Sequence, residues 1–241
     1  MTQFEQSDYV DITQTAEYRA ELAAQQTFMA QVFNWMAIGL LATATAALAT
    51  SVFKPTLMAQ LEAWHLIILL LVQIVIATGM SLMIDRLPAI VLAGMFMIYA
   101  AIIGMVFSLL FLIYTDASLY AAFFITAGMF GSVATWSYIT KKDLSGWGTI
   151  LFMALIGLIL SLIVSMFLPS PWLTFGISTV GVILFTALTA YDVKKIKRTY
   201  TDAPEGSRKL ENLAIYGAFF LYLDFVNLFI YLLSLIGSRR H

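Results

Sequence analysis

The sequence predicts an all-α membrane protein, a bundle of seven transmembrane helices, on three observations. Hydrophobic residues make up 61% of the chain and charged residues only 11%, against roughly 45–50% and 25% in ordinary soluble domains. The excess is gathered into blocks of about 20 residues or more, the length that spans a hydrocarbon core about 30 Å thick. The blocks also lack the polar outer stripe that a helix in a soluble bundle carries.

Residues 1–27 form a polar, acidic N-terminal tail, with Glu5, Asp8, Asp11, Glu17 and Glu21 against Arg19. It has no basic n-region, short apolar core or small-residue cleavage site, so the first apolar block is expected to be a retained span and the tail partly helical. The seven-helix domain covers 28–236 and a short C-terminal tail covers 237–241. The spans fall near 28–53, 63–84, 88–114, 117–139, 147–168, 172–191 and 212–236. Lys54-Pro55, Asp85-Arg86-Leu87-Pro88 and Pro169-Ser170-Pro171 separate them by combining polarity with a proline that ends or starts a helix. The break at Tyr114-Thr115-Asp116 is the weakest and requires a tight hairpin. No short fixed repeat is present. With no cysteine in the chain, disulfides, thiol catalysis and thiolate metal sites are excluded.

Lys and Arg positions set the expected orientation. With the N-terminus cytoplasmic, the inside holds Arg19, Arg86, Lys141, Lys142 and the basic residues Lys194, Lys195, Lys197, Arg198, Arg208 and Lys209. The outside then holds only Lys54, Arg239 and Arg240. N-terminus in and C-terminus out follows.

Helix contacts have their own signature. Gly39, Thr43 and Ala47 on span 1, and Gly157, Ser161 and Ser165 on span 5, recur every four residues and would let backbones approach closely. Gln31, Asn34 and Gln73 are expected to supply interhelical hydrogen bonds of about 1 kcal/mol each. His65 falls at the outer end of span 2, an interfacial position.

Of fourteen acidic residues, twelve lie in tails, loops or near a span boundary. Asp224 alone sits deep, in Leu221-Tyr222-Leu223-Asp224-Phe225, and Asp192 closes span 6. A charge at mid-bilayer costs roughly 2.5–3.5 kcal/mol on insertion scales, so it is kept for a partner or a purpose. Asn227 and Tyr231 extend a polar stripe from Asp224 along the same helix face, directed into the bundle. A hairpin of spans 6 and 7 brings Asp192 beside the first half of span 7. If span 7 enters the membrane near Phe219, Asp224 lies within two turns of the cytoplasmic edge. Two carboxyl groups held together in low dielectric cannot both ionise cheaply; they share a proton and titrate as a unit. Plainer roles stay open: counter-charge to Lys194 and its basic neighbours for Asp192, an interhelical hydrogen bond for Asp224.

Three function classes use a membrane acid pair. An aspartyl intramembrane protease carries Gly-x-Gly-Asp at its second acid, whereas this chain has Leu221-Tyr222-Leu223-Asp224. A retinal protein needs a lysine inside the last span, and 212–236 has none. A cation pathway fits: carboxylates suit a hard cation such as Ca2+, but a tight site takes six to eight oxygens. Two carboxylates with Asn227 would bind weakly, which suits passage, since a conducted ion must also leave. The residues alone do not separate Ca2+, H+ and another cation.

The segments "TAGMFG" (126–131), "TKKDLSGWG" (140–148), "LTAYDVKKIK" (188–197) and "LYLDFVNLFIYLL" (221–233) resemble the signatures of the Bax inhibitor family, the transmembrane Bax inhibitor motif proteins. The resemblance covers the chain from about residue 27 and is similar to a bacterial inner-membrane member. It implies a seven-helix bundle with the last helix central, acting as a pH-sensitive calcium leak channel, not an enzyme and without a tightly bound cofactor. By motif match it makes Asp192 and Asp224 a gating and ion-binding dyad. It also implies an arginine latch for the first acid, and Arg86 is the basic residue at the matching end of span 2. Bacterial relatives imply a second reading, regulator or partner of a membrane quality-control protease, which the polar N-terminal tail would serve. The expected partners are membrane lipid, Ca2+ and that protease, with no nucleic acid, for a monomer or weak oligomer.

Overall fold

The computed structural model describes residues 3–53, 63–201 and 207–240. The Lys54-Pro55 break, and Lys54 in the charge comparison, lie outside the described residues. Among the described residues seven long helices run in order: α1 (Gln3–Phe53), α2 (Ala63–Met83), α3 (Ala89–Phe107), α4 (Asp116–Ile139), α5 (Trp147–Phe167), α6 (Pro171–Thr201) and α7 (Ser207–Ile236). Among the described residues, all but α2 include a stretch long and apolar enough to cross a membrane, and α2 contributes the shorter apolar stretch Ile67–Met83.

Three boundaries differ from those expected, each for a physical reason. The first helix starts at Gln3 instead of near residue 28, because 16–26 is rich in Ala, Glu, Gln and Arg, all strong helix formers. Asp192 does not close the sixth span: α6 continues to Thr201. Lys and Arg are good helix formers, and cations are favoured at a helix C-terminus by the backbone dipoles. The expected basic loop 193–211 is therefore mostly two helix ends. The third span breaks at Ser108, whose hydroxyl bonds the Met105 carbonyl, and a four-residue helical turn, Leu110–Ile113, follows.

The last helix is central, packing against α1, α3, α4 and α6. The α1 helix packs tightly on α3, where the Gly39-Thr43-Ala47 face does what its spacing predicts. A Cβ at Gly39 would stand 2.5 Å from the Phe96 ring, and one at Gly104 would run into the Thr43 carbonyl and Ala46 Cβ (2.7 Å). The matching stripe on α5 does not pack: Gly157 is exposed and a Cβ there would meet nothing within 4 Å. Gln31 and Asn34 face outward, and Gln73 is buried with its Nε2 unpartnered, so the expected interhelical bonds come from other residues.

The tight hairpin between α3 and α4 is present and is bridged by the C-terminal tail. Thr115 caps α4, accepting from the Ser118 amide at 3.4 Å. Thr115 N donates to Ser238 O at 3.1 Å, Arg240 N to Ile113 O at 2.9 Å, and Ser238 N to Ser118 Oγ at 2.9 Å. Arg240 Nη2 pairs with Asp116 Oδ1 at 2.6 Å.

Candidate functional site

Small residues set the register of α6 against α7. Ser178 Oγ bonds Ser234 Oγ at 2.8 Å, Gly181 lies under the Tyr231 ring, and Gly217 lies against Ile196. This antiparallel order brings Asp192 opposite Asp224. Asp192 is half-buried, Asp224 is 4% exposed, and the two carboxyl groups meet side chain to side chain. A hydrogen bond between two carboxyl groups requires one of them to carry the proton. Asp224 Oδ2 is buried with no donor beside it, so an added charge there would be poorly solvated.

The helix end bearing Asp192 is fastened to α4. Ser137 Oγ donates to Ala190 O at 2.5 Å, Lys194 Nζ to Thr140 O, and Lys197 Nζ to Tyr138 O at 3.3 Å. Lys197 also lies 4.4 Å from the Tyr138 ring centroid. Cations here meet the negative end of α4, where carbonyls lack helical partners. Lys195 is near enough to act electrostatically on Asp192, and its ammonium stands 5.7 Å from the Phe220 ring. In the turn between α4 and α5, the Ser145 amide donates to Asp143 Oδ1 at 2.9 Å. That bond, helped by the Ser145 side chain and more weakly by Arg198 and Lys194, holds the Asp143 carboxyl below its usual range.

Arg86 is exposed on the turn after α2 and forms no ion pair with Asp192 in this conformation. Its turn is held by α7 instead. Asn212 Nδ2 donates to Ile84 O at 2.7 Å and to Leu87 O at 2.9 Å, and Tyr216 Oη bonds Ser81 Oγ at 2.8 Å. Asn227 and Tyr231 are engaged in helix structure. Asn227 Nδ2 donates to Leu223 O at 2.8 Å, and Tyr231 stacks on Phe185 with centroids 5.7 Å apart. Among the described residues no group of three or more His, Asp or Glu could hold a metal ion.

Sequence reasoning missed Asn212 and the Thr43–Tyr222 pair. The Tyr222 hydroxyl lies 2.7 Å from Thr43 Oγ1, which also donates to Ala100 O at 3.0 Å, tying α7, α1 and α3 together in the core. Phe96 and Tyr99 of α3 pack edge-on against Tyr222 and also against Phe219, one turn earlier on α7. Thr43 carried a signal as one of a small-residue triplet, but its partner lies 179 positions away.

Known proteins are similar to this chain over most of its length. The family model described as Inhibitor of apoptosis-promoting Bax1 matches residues 25–241. The chain is 43% identical over 222 residues to inner membrane protein YbhL of Escherichia coli K12, covering 90% of this chain and 94% of that protein. A protein of Deinococcus radiodurans is 38% identical, covering 89% and 91% of the two chains. One of Borreliella burgdorferi is 36% identical, covering 96% and 99%.

Proposed function

Because the chain belongs to the Bax inhibitor family, we propose that it is a Ca2+ leak channel of a bacterial inner membrane, gated by Asp192 and Asp224 and sensitive to pH. The observation that carries this reading is the meeting of the two carboxyl groups between α6 and α7, with Asp224 4% exposed. With one shared proton the groups hold the helices together. With a changed proton count the contact changes from hydrogen bond to repulsion or loses its charge, and the mouth between α6 and α7 responds. Ca2+ is the cargo, met transiently by hard carboxylate oxygens that are too few to retain it. No covalent chemistry and no resident cofactor are part of this reading.

In this reading the N-terminus is cytoplasmic and the C-terminus outside, which sets the basic ends of α6 and α7 inside. Arg86, on the same side, competes for Asp192 in a second conformation. The test is Ca2+ flux into dye-loaded proteoliposomes across pH 5–8 for wild type, Asp192→Asn and Asp224→Asn. A pH-dependent flux that flattens in both variants is expected. Identical flux and pH dependence in all three would sink the gate, and no flux above empty liposomes would sink the channel.

A second reading, partner of a membrane-anchored protease, is favoured by α1. At 51 residues and 1.5 Å per residue it is about 77 Å long, more than twice the hydrocarbon core. Its N-terminal part extends beyond the bilayer as a docking arm. Deleting residues 1–25 should abolish co-purification with such a protease and leave flux intact if both roles coexist.

A further inference from the structure

Away from the carboxyl pair, α1, the C-terminal end of α6 and the start of α7 border an open cavity of about 560 Å3. Three aromatic rings contribute to its wall: Phe28 and Trp35 of α1 and Tyr200 of α6. Phe28 is 4% exposed and packs on Tyr200 with centroids 5.1 Å apart at 35°, so this part of the wall is fixed. Glu211 of α7 and Gln31 of α1 also line the cavity, and among the described residues none of the lining is basic. A smaller hollow of about 180 Å3 lies along α1 and is lined by Glu21 and Gln25.

We propose that the Phe28–Trp35–Tyr200–Glu211 cavity binds an organic ammonium group. Aromatic faces attract a cation through the ring quadrupole, most strongly for tryptophan, and the attraction grows as the cation is desolvated. Glu211 supplies the opposite charge, and the Gln31 amide offers a carbonyl acceptor. An inorganic divalent ion is a poor match, because it takes six to eight oxygen ligands and the described lining offers one carboxylate with the side-chain oxygens of Gln31 and Thr27. An anion would meet the Glu211 carboxylate. A neutral apolar molecule would leave Glu211 and Gln31 against an apolar surface. Trp35 and Tyr200 also have the amphipathic character of residues at a membrane interface. The same ammonium can therefore belong to a free amine or to a lipid headgroup.

The test uses the full chain in nanodiscs of phosphatidylglycerol alone, titrated with choline or ethanolamine chloride against equal sodium chloride. Tryptophan fluorescence and the thermal midpoint are read together. A saturable response is expected, weakened about tenfold or more by Glu211→Gln and by Trp35→Leu. Glu211 is exposed, so its variant tests the charge without disturbing the core. In discs containing phosphatidylethanolamine, loss of the choline response with a raised wild-type midpoint assigns the site to the lipid headgroup. An unchanged choline response assigns it to free amines. No saturable response to either amine, with no effect of phosphatidylethanolamine, would overturn the proposal, as would a response that neither variant alters.

Discussion

The hydroxyl of Tyr222 and Oγ1 of Thr43 lie 2.7 Å apart across the contact of α7 with α1, two residues before Asp224 in the chain. Both side chains are buried, Tyr222 at 0% and Thr43 at 6% exposure. Removing the phenol hydroxyl by Tyr222→Phe leaves Thr43 its bond to Ala100 O, and should lower stability by about 0.5–1.5 kcal/mol. Thr43→Val should lower it by about 1–3 kcal/mol, because it leaves the Tyr222 hydroxyl buried and unpartnered. The double variant should be less destabilised than the sum of the two. Denaturation in detergent micelles measures all three, and full additivity would show that the pair contributes nothing.

The contact of α1 with α3 and the outer face of α5 carry similar small-residue stripes in opposite surroundings. Gly104→Val should destabilise by at least about 1–3 kcal/mol, since its side chain would enter the Thr43 carbonyl and Ala46 and push the helices apart. Gly157→Ala, facing open space, should be neutral or stabilising by up to about 1 kcal/mol through helix propensity. Thermal midpoints of the two variants check the contrast. A neutral Gly104→Val would mean that the α1–α3 approach is looser than described.

These two stripes also mark how far the sequence could be read. The spans and the breaks at Asp85–Pro88 and Pro169–Pro171 were legible because bilayer thickness fixes span length and proline punctuates the chain. The nearness of Asp192 to Asp224 could be anticipated because a hairpin of spans 6 and 7 sets the end of one beside the first half of the other, although the sequence left the register open. Which stripe meets a neighbour could not be anticipated, because spacing records a capacity for close approach and not the presence of a second helix. The ends of α6 and α7 were misjudged for a related reason. Hydropathy marks where a chain leaves lipid, whereas helix propensity and dipole-favoured cations carry the helix on to Thr201. Asn212 gave no local signal, since the carbonyls it caps, Ile84 and Leu87, lie more than a hundred positions earlier.

The C-terminal clasp separates charge from sterics. Arg240 and Asp116 are 46% and 61% exposed at their side chains, and such exposed pairs contribute about 0–1 kcal/mol. Arg240→Ala should therefore change stability by less than about 1 kcal/mol. Gly237→Ala should cost about 1–3 kcal/mol, because the added methyl would meet the Leu233 carbonyl and stand 2.7 Å from the Tyr114 ring. Hydrogen exchange in residues 113–119 should rise in the glycine variant and change little in the arginine variant. The reverse order would make the ion pair the main tether.

Asp143 gives a pH dependence with a definite sign. Its carboxyl is held below the ordinary value of 3.8 chiefly by the Ser145 amide, which hydrogen-bonds the charged form. A carboxyl whose folded value is depressed adds stability above its unfolded value, and that contribution is lost as pH falls through the folded value. Protection of the Ser145 amide, corrected for intrinsic exchange, should therefore stay level from pH 7 to pH 5 and fall only below pH about 4. In Asp143→Asn the amide loses its charged acceptor, so protection should be lower at neutral pH and lack the acid step. Added salt should leave the wild-type step largely in place, because a direct hydrogen bond is its largest cause and the charges of Arg198 and Lys194 are minor. A step that salt abolishes would reassign the effect to those cations.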